Sequence, residues 1–309
     1  MNSNRTLIKD AITSGQTMTG TGKGGMLSPE QAKKFISYMT DNTQILKDTR
    51  LEEMRAPEKQ LDFLLIGSRL IRKATEAASP SELAGVSINR KELRSTKVRL
   101  SADITSEFLE DNIEGEDAGE RIAHELAMQF GNDLADLMFN GDTAATGTDA
   151  SFLGIGDGII KQAETSTATH KYSLKNKSDY KGDIFPNMIK LMPNQFKRDR
   201  QSMRFYCSPS VADAYITSLS DRVSELGDKI LQSGSLVNFL GIKVFPVEYI
   251  PDDVIILTHK LNIVSGVQRD MKVYSQFNQR KDQTEYTMYM RVDPGKIVWD
   301  DAFVIAYDF

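Results

Sequence analysis

The amino-acid sequence predicts an α+β fold, and three patterns predict this class. Apolar residues recur every three or four positions between residues 116 and 140, which is typical of an amphipathic helix. Extended patterns occupy residues 45–71 and 86–102. Apolar and polar residues alternate from Tyr286 to Val292, as they do in a half-buried strand.

Composition excludes several protein classes. The chain has 309 residues, 40 % of them hydrophobic and 26 % charged, and its 38 Lys and Arg against 43 Asp and Glu give a net charge of −5. Such values exclude disordered, collagen-like and disulfide-rich proteins. No apolar run approaches the ~18 residues of a membrane span, and the first residues contain no apolar signal region. The single cysteine excludes an intrachain disulfide and fits a reducing compartment.

Residues 1–27 predict an arm without a core of its own. The run from Thr19 to Gly25 (TGTGKGG) is too polar and too rich in glycine to pack. A helix should begin directly after it, because the sequence SPEQ from Ser28 supplies an N-cap, a first-turn proline and a capping-box glutamine. We expect this short helix to end near Asn42.

The two extended patterns, residues 45–71 and 86–102, predict the arms of a long β-hairpin that projects from the body of the protein. The stretch between them, Thr75 to Gly85, is small, polar and turn-rich, so the tip should be loose. An isolated two-stranded hairpin is marginal in water. The hairpin should therefore need support from another surface.

The clearest predicted element is a helix from Glu116 to Asn140. At ~25 residues and ~1.5 Å per residue it would be close to 37 Å long. Acidic residues crowd its first turn, which suits the positive end of the helix dipole, and Asn140-Gly141 supplies a stop. Such a length indicates a structural spine.

The second half of the chain predicts shorter elements. Residues 142–182 indicate loops and short strands, Asp183–Met192 a helix, and Met203–Cys207 a short buried strand. Another helix should begin at Ser208-Pro209. The remainder is mostly strand, through to a final hydrophobic strand within Lys296–Phe309.

Two glycine-rich stretches invite a nucleotide-binding interpretation, and neither fits it. In Gly15–Gly25, Lys23 is followed by Gly24 rather than by Ser or Thr, and no strand precedes the stretch. In Gly154–Gly158 the third glycine comes one position too early for a dinucleotide fingerprint, and no helical pattern follows. We expect an arm at the first stretch and a turn between strands at the second.

Residues that carry catalytic or metal chemistry form no recognisable pattern. His124, His170 and His259 are widely spaced, and none has a carboxylate or cysteine partner at ligand spacing. Cys207 follows two aromatic residues and suggests a small buried side chain. The acidic pI of about 5.4 argues against nucleic-acid recognition. We therefore expect a protein that is not an enzyme, with no catalytic residue, metal site or cofactor.

Charge is strongly segregated along the chain. From Arg69 to Arg99 eight basic residues face three acidic ones, a net of +5, whereas from Leu100 to Asp142 twelve acidic residues face only Arg121, a net of −11. Blocks of opposite sign can pair within the chain or across an interface. Two separately solvated faces explain the pattern equally well, because exposed ion pairs contribute little.

The order of the parts resembles that of a known family. The order is polar arm, short helix, long basic hairpin, acidic spine helix, mixed block and final strand. Ile113–Gly141 resembles the spine helix and its glycine stop, and Phe185–Phe205 resembles the beginning of an axial domain. Phe239–Val244, Ile250-Pro251 and Asp301–Ile305 resemble the return from that domain. From Ser28 onward, the chain resembles the major capsid protein of tailed bacteriophages with the Hong Kong 97-type fold.

The resemblance implies a division of the chain into parts. These are an N-terminal arm (1–27), a peripheral domain (28–60, 96–180 with the spine helix 116–140, and 296–309), an extended β-hairpin loop (61–95) and an axial domain (181–295).

The resemblance also implies a function. Members of this family assemble as hexamers and pentamers into an icosahedral shell around double-stranded DNA, which they enclose without sequence-specific binding. The implied partners are other copies of the chain, a scaffolding protein, a portal and, in some members, a decoration protein; no membrane is involved. The short arm that begins at Met1 favours a separate scaffolding protein. The protein would reside in the virion after assembly in the host cytoplasm.

The charge blocks supply candidate inter-subunit residues for such a shell. We hypothesise that the basic residues of the extended loop meet the acidic region of an adjacent subunit. The basic set is Arg69, Arg72, Lys73, Arg90, Lys91 and Arg94. The acidic set is Glu107, Glu110, Asp111, Glu114, Glu116, Asp117 and Glu120.

Two other classes of protein are compatible with the sequence. An encapsulin-like nanocompartment shell would share the fold but enclose protein cargo instead of a genome. A soluble metabolic enzyme of unrecognised type would fit the composition, but the catalytic constellation is missing from the sequence.

Overall fold

Two six-stranded sheets and a separate two-stranded ribbon organise the described chain. The structure is a computed structural model that describes residues 23–26, 29–65, 87–105, 107, 118–174, 184–220, 238–268 and 271–307. Its α-helices are α1 (Pro29–Asn42), α2 (Gln44–Asp48), α3 (Ala118–Asn140), α4 (Ala150–Leu153), α5 (Ile159–Thr165), α6 (Ile184–Leu191) and α7 (Pro209–Ser220). Its strands are β1 (Lys23–Met26), β2 (Arg50–Met54), β3 (Glu58–Leu65), β4 (Ser87–Arg94), β5 (Thr96–Thr105), β6 (His170–Ser173), β7 (Met203–Cys207), β8 (Asn238–Phe239), β9 (Ile242–Pro246), β10 (Ile255–His259), β11 (Ile263–Gln268), β12 (Lys272–Asn278), β13 (Gln283–Ile297) and β14 (Phe303–Tyr307). Short 3-10 turns occupy Phe196–Arg198, Lys260–Asn262 and Asp300–Ala302.

The first sheet is built around the long strand β13. Its order is β1–β12–β13–β11–β2, and β5 also pairs with β13. Met290 and Val292 of β13 are buried in the same core cluster as α1 and α3. Within that cluster Phe35 of α1 contacts Phe130 of α3, with ring centroids 6.4 Å apart. The spine helix and the sheet thus bury each other's apolar faces, which is what an amphipathic pattern requires.

The second sheet has the order β6–β14–β10–β7–β9–β8. All five residues of β7 are buried, because helices cover the sheet. Phe185 of α6 contacts Phe205 of β7 and Tyr215 of α7, each with ring centroids 4.8 Å apart. The backbone N–H of Val211 donates to Ser208 Oγ (3.3 Å), so the predicted cap of α7 is confirmed.

Buried polar contacts fix how the two sheets meet. Arg204 of β7 donates from Nε to Asp48 Oδ2 at the end of α2 (3.0 Å), and the Tyr206 hydroxyl donates to the same oxygen (3.1 Å). Burial raises the pKa of Tyr206, so this hydroxyl stays a donor. Asn262 Nδ2 donates to the Trp299 carbonyl (3.0 Å), and the Trp299 N–H donates back to Asn262 Oδ1 (2.7 Å). Buried polar groups are therefore paired by hydrogen bonds where the chain crosses between the sheets.

The ribbon consists of β3 and β4, which pair antiparallel from Glu58 opposite Arg94 to Leu65 opposite Ser87. The predicted hairpin arms were too long at the base. Residues 44–48 form the helix α2, and β2 pairs parallel with β11 instead. The strand β5 leaves the ribbon and pairs along β13, where its Ile104 is buried. A strand pattern does not reveal which partner it will find, because pairing is decided by distant parts of the chain.

Several predicted elements are confirmed with small shifts of their bounds. The spine helix occupies Ala118–Asn140, its predicted first residues 116 and 117 lie outside the described residues, and the α+β class is confirmed. The glycine stretch 154–158 was misread, since it joins the helices α4 and α5 rather than two strands. A Cβ atom at Gly158 would lie 2.5 Å from the carbonyl oxygen of Phe139. Glycine is needed there for close backbone approach, and α5 is too short to show a helical pattern.

The sheets do not follow the bounds of the predicted domains, whose division stays a prediction. The strand β11 and all but the last two residues of β13 lie within residues 181–295, but β11 pairs with β2 and β13 with β5 in the first sheet. The final strand β14 lies within 296–309 but pairs with β6 and β10 in the second sheet. At the other end of the chain β1 adds to β12 as an edge strand, while residues 1–22 of the predicted arm lie outside the described residues.

Candidate inter-subunit surfaces

The base of the ribbon is anchored to the body by a small apolar cluster of its own. Leu61 of β3 and Leu93 of β4 are buried there with Met54, Val264 and Val298. Leu93 is completely inaccessible to solvent. In the sequence these leucines look like ordinary members of two extended arms. In the structure they fix where the ribbon leaves the protein.

A buried carboxylate completes this anchor. Asp293 Oδ2 accepts a hydrogen bond from the backbone N–H of Arg94 at the end of β4 (2.7 Å), and Oδ1 accepts one from Gly295 N–H (3.2 Å). Only 2 % of Asp293 is exposed, and this burial raises the pKa of its carboxyl group. The two hydrogen bonds from N–H groups partly compensate this carboxylate for the hydration that it loses on burial.

The described members of the predicted basic set pair with carboxylates of their own chain. Arg90 contacts Asp62 across the ribbon (2.9 Å), Lys91 contacts Asp300 (3.0 Å), and Arg94 contacts Glu92 (3.0 Å). The other three members, Arg69, Arg72 and Lys73, lie outside the described residues. Pairing of the ribbon with another subunit stays a prediction, and the described half of the set would have to exchange partners to achieve it.

The acidic set lies almost wholly outside the described part of the chain. Glu107 is described and exposed, and Glu120 belongs to α3. The remaining members are Glu110, Asp111, Glu114, Glu116 and Asp117, and none of them is described. The described residues of the two predicted sets form no ion pair with each other.

The open face of the first sheet carries mixed charge. Lys97 Nζ lies 4.5 Å from the centre of the Tyr289 ring, and Tyr289 in turn packs edge-on against Tyr274. These side chains line a concavity of about 780 Å³. Further along the same strands Asp103 accepts a hydrogen bond from Gln283 (3.0 Å), so acidic and basic residues share the sheet.

A second basic surface, which the sequence did not suggest, lies at one end of the second sheet. It combines three exposed leucines with six basic residues, and we call it the basic leucine surface. Its members are Leu191, Leu240, Leu261, Lys190, Lys197, Arg198, Arg200, Lys243 and Lys260.

Hydrogen bonds bring the three segments of this surface together. Arg200 donates from Nη1 to the Leu240 carbonyl in the turn between β8 and β9 (3.4 Å). Lys260 N–H donates to the Ser202 carbonyl (3.0 Å), which joins the 3-10 turn after β10 to the loop before β7. Lys197 Nζ reaches the carbonyl of Lys190 at the end of α6 (3.4 Å). Residues distant in the sequence thereby form one continuous surface.

The cations of the basic leucine surface form no ion pair within the described chain. The one carboxylate inside the surface, Asp199, is held by hydrogen bonds from the Ser202 hydroxyl (2.5 Å) and N–H (3.3 Å). These bonds lower the pKa of Asp199. Six positive charges against one negative charge therefore face solvent together.

The turn that carries Leu240 has an uncommon backbone. Leu240 has φ +48° and Gly241 has φ +84°, so both residues occupy the left-handed region. Glycine adopts this region freely, but leucine does so at a cost of roughly 1–2 kcal/mol. The leucine is nevertheless presented to solvent at the tip of the turn, with 60 % of its surface exposed.

No metal-ligating cluster of His, Cys, Asp or Glu occurs among the described residues. None of the described helices is long and apolar enough to cross a membrane. Cys207 is buried, and desolvation raises the pKa of its thiol to about 12, so the group is protonated and inert near neutral pH.

A comparison with known protein families identifies the family of the chain. The sequence profile described as "Phage capsid family" matches residues 24–307. The chain belongs to the phage capsid family. It is 28 % identical over 271 residues to the Bacillus subtilis (strain 168) protein named "Putative prophage capsid protein YqbE", and the match covers 83 % of this chain and 84 % of that protein.

Solved structures share the fold of this family member. A chain of the satellite phage P4 procapsid is similar with a TM-score of 0.63 and 13 % identity over 89 % of this chain and 98 % of that one. A capsid chain of a native GTA particle has a TM-score of 0.63 and 16 % sequence identity, and the match covers 86 % of this chain and 90 % of that one. A chain of a virus-like particle from Pyrococcus furiosus has a TM-score of 0.52 and 11 % sequence identity, and the match covers 89 % of this chain and 98 % of that one.

These comparisons confirm the Hong Kong 97-type capsid fold and the prediction of a shell protein of a phage particle. The family is one of structural proteins of the virion. The nanocompartment alternative is not favoured, because the matching family and the matching prophage protein are both named for phage capsids.

Proposed function

We propose that this phage capsid protein is the major subunit of an icosahedral shell, in which it forms hexamers and pentamers around double-stranded DNA. The observation that carries the proposal is the family match over residues 24–307, which includes both sheets and the ribbon. The chain acts as a structural subunit and not as an enzyme. Other copies of itself are its main partners.

The strand pairing supports a revised division of labour within the subunit. We assign the first sheet, with α1 and the spine helix α3, to the peripheral domain, and the second sheet, with α6, α7 and the final strand β14, to the axial domain. The ribbon β3–β4 is the base of the extended loop, which reaches over an adjacent subunit. Its pairing to no other strand among the described residues fits an element that completes its contacts elsewhere.

The further partners follow from the same assignment. A scaffolding protein would guide assembly in the host cytoplasm, and a portal would occupy one vertex of the shell. A decoration protein is compatible with the assignment but is not required by it.

Electron microscopy tests the proposed function directly. The chain is produced in bacterial cells with the head genes of its phage, and particles are examined before and after nuclease treatment. We expect closed shells of uniform size that protect double-stranded DNA. Small discrete oligomers would contradict the proposal that the chain forms a shell. Shells filled only with protein cargo would contradict the proposal that the shell encloses a genome.

A further inference from the structure

The exposed leucines mark the basic leucine surface as a contact site. Leu240 and Leu261 are 60 % and 57 % exposed, the highest values among the large hydrophobic residues that the structure describes, and Leu191 is 39 % exposed. Single exposed leucines are ordinary, but these three lie on segments that hydrogen bonds join at one end of a sheet. The strained backbone at Leu240 points the same way, since strain at an exposed side chain adds nothing to the fold of the monomer.

The chemistry of the surface favours a protein segment over a nucleic acid. Phosphates would satisfy the cations, as in any electrostatic contact with DNA. The leucines would gain little from phosphates, however, and the aromatic residues described in these segments, Phe196 and Phe239, are partly buried rather than exposed as stacking platforms for bases. A partner that satisfies both halves must combine carboxylates with apolar side chains.

One segment of this chain has that composition. Residues 107–117, with the sequence EFLEDNIEGED, contain six acidic residues, three large apolar residues and no basic residue. The six carboxylates match the six cations of the basic leucine surface, and Phe108, Leu109 and Ile113 match its three leucines. Charge complementarity of this kind sets register and partner choice at protein interfaces.

The segment cannot reach Leu261 of its own subunit. Thr105, which precedes it, pairs with Gln283 at one end of β13, whereas Ile263, which follows Leu261, pairs with Ile297 at the other end. Fourteen residues of strand separate these ends, which is about 45 Å.

The residue that follows the segment is also far from Leu261. A Cβ atom at Gly295 would lie 3.2 Å from the Met138 side chain, so the last turns of α3 lie near the Leu261 end of β13. Ala118 begins that helix twenty residues earlier, which is ~30 Å away. A connection of about a dozen residues that must leave and return spans at most ~20 Å outward. Contact with Leu261 therefore requires a second copy of the chain.

We propose that the basic leucine surface of one subunit receives residues 107–117 of a neighbouring subunit. The proposal rests on the proposed shell function and names one of the contacts that close the shell. It gives the acidic region a counterpart other than the ribbon, whose described cations are already paired.

Charge reversal and charge exchange test this contact. The first variant carries Lys197→Glu, Arg198→Glu and Arg200→Glu, and the matched control keeps the charge with Lys197→Arg, Arg198→Lys and Arg200→Lys. We expect the reversed variant to lower shell yield by about tenfold or more, because a small loss per contact is multiplied over many contacts, and the control to assemble normally. Adding Glu107→Lys, Glu110→Lys and Asp111→Lys to the reversed chain should restore shells.

Each other outcome has a definite meaning. Normal shells from the reversed variant, with unchanged sensitivity to salt, overturn the inference but leave the proposed function intact. Shells that form normally but retain less DNA assign the surface to nucleic acid instead. A chain that carries only Glu107→Lys, Glu110→Lys and Asp111→Lys separates the two partners: if Arg90→Glu with Arg94→Glu restores its shells and the three reversals of the basic leucine surface do not, the acidic region contacts the ribbon. Failure of the unaltered chain to form shells overturns the proposed function itself.

Two additions guard against misfolding and against contacts within one chain. If the reversed variant unfolds, Leu240→Asn with Leu261→Gln removes the two most exposed leucines of the surface and should lower shell yield in the same way. Copies with Leu240→Cys, mixed with copies carrying Phe108→Cys, should form a disulfide-linked dimer under oxidation. Absence of that dimer in assembled shells would overturn the contact between copies.

Discussion

The ribbon base and the basic leucine surface are both rich in cations, yet they are built in opposite ways. At the ribbon base, Arg90 and Lys91 pair with carboxylates of the same chain, and Leu93 is fully buried. At the basic leucine surface the cations have no ion-pair partner in the described chain, and Leu240 and Leu261 face solvent. The first region belongs to the fold of the subunit, and the second belongs to its contacts. Local charge alone does not separate the two cases.

The largest effect on the stability of the subunit should come from the ribbon anchor. Leu93→Ala removes a fully buried side chain from the cluster that holds the ribbon. We expect a loss of about 2–5 kcal/mol in the free energy of unfolding, measured by denaturant titration of the unassembled subunit. Leu261→Ala is the matched control and should change this value by less than about 0.5 kcal/mol. Equal losses at both leucines would erase the distinction between the regions.

The buried carboxylate should give the next largest effect. Asp293→Ala leaves the N–H groups of Arg94 and Gly295 without their acceptor, and we expect a loss of about 1–3 kcal/mol in the free energy of unfolding. Asp293→Asn keeps one side-chain oxygen and should lose less. Faster amide hydrogen exchange at Arg94 in the alanine variant would show that the ribbon end is released. Unchanged exchange there would contradict the anchoring role.

The same residue predicts a pH dependence with a definite sign. Burial raises the pKa of Asp293 above its usual 3.8, so the folded protein holds the proton more tightly than the unfolded chain does. The resulting stabilisation is present below about pH 4 and is lost as the pH rises through the folded-state pKa. Asp293→Asn does not titrate, so its stability relative to the unaltered chain should increase from pH 4 to pH 7. A relative decrease over this range would refute the assignment.

A substitution in the turn at Leu240 should stabilise the subunit, whereas the substitutions at the ribbon anchor should destabilise it. Leu240→Asn places a residue that tolerates left-handed backbone at φ +48°, and we expect the unassembled subunit to gain about 1 kcal/mol. Shell yield should fall at the same time, because a contact side chain is lost. Thermal unfolding and particle counts on one preparation measure both quantities. A variant that is more stable and also assembles fully would remove Leu240 from the contact.

The smallest effect should come from the exposed ion pair of the ribbon. Both members of Arg90–Asp62 have 55 % of their side chains exposed. We expect Arg90→Ala to change the free energy of unfolding by less than about 1 kcal/mol, with less effect at high salt. A larger loss, or a strong loss of shells, would show that Arg90 contributes more than its cross-strand pair.

The sequence was sufficient for the elements whose patterns are local and for the resemblance of their order to a capsid protein. The start of α1, the spine helix α3 and the buried strand β7 all follow from caps, periodicity and apolar runs. Strand partners were not predictable, because β5 and β14 find theirs far away in the chain. The ribbon cations could be named from sequence, but their partners within the chain could not.

The basic leucine surface was missed for a related reason. Its residues come from three segments that the sequence keeps apart, and each segment contributes only one exposed leucine. A leucine in a turn such as Leu240-Gly241 is a weak signal, although the pairing of a bulky residue with glycine at a hairpin turn is unusual. Only the folded sheet brings Lys190, Arg200 and Lys260 to one end.

Cysteine labelling measures most directly whether assembly covers the basic leucine surface. Leu240→Cys provides a reactive thiol at the tip of the turn. The native Cys207 should not react, because it is buried and burial raises the pKa of its thiol to about 12. We expect rapid reaction with a maleimide in the unassembled subunit and strong protection in the shell. Equal reaction rates in the subunit and in the shell would show that assembly leaves the basic leucine surface uncovered.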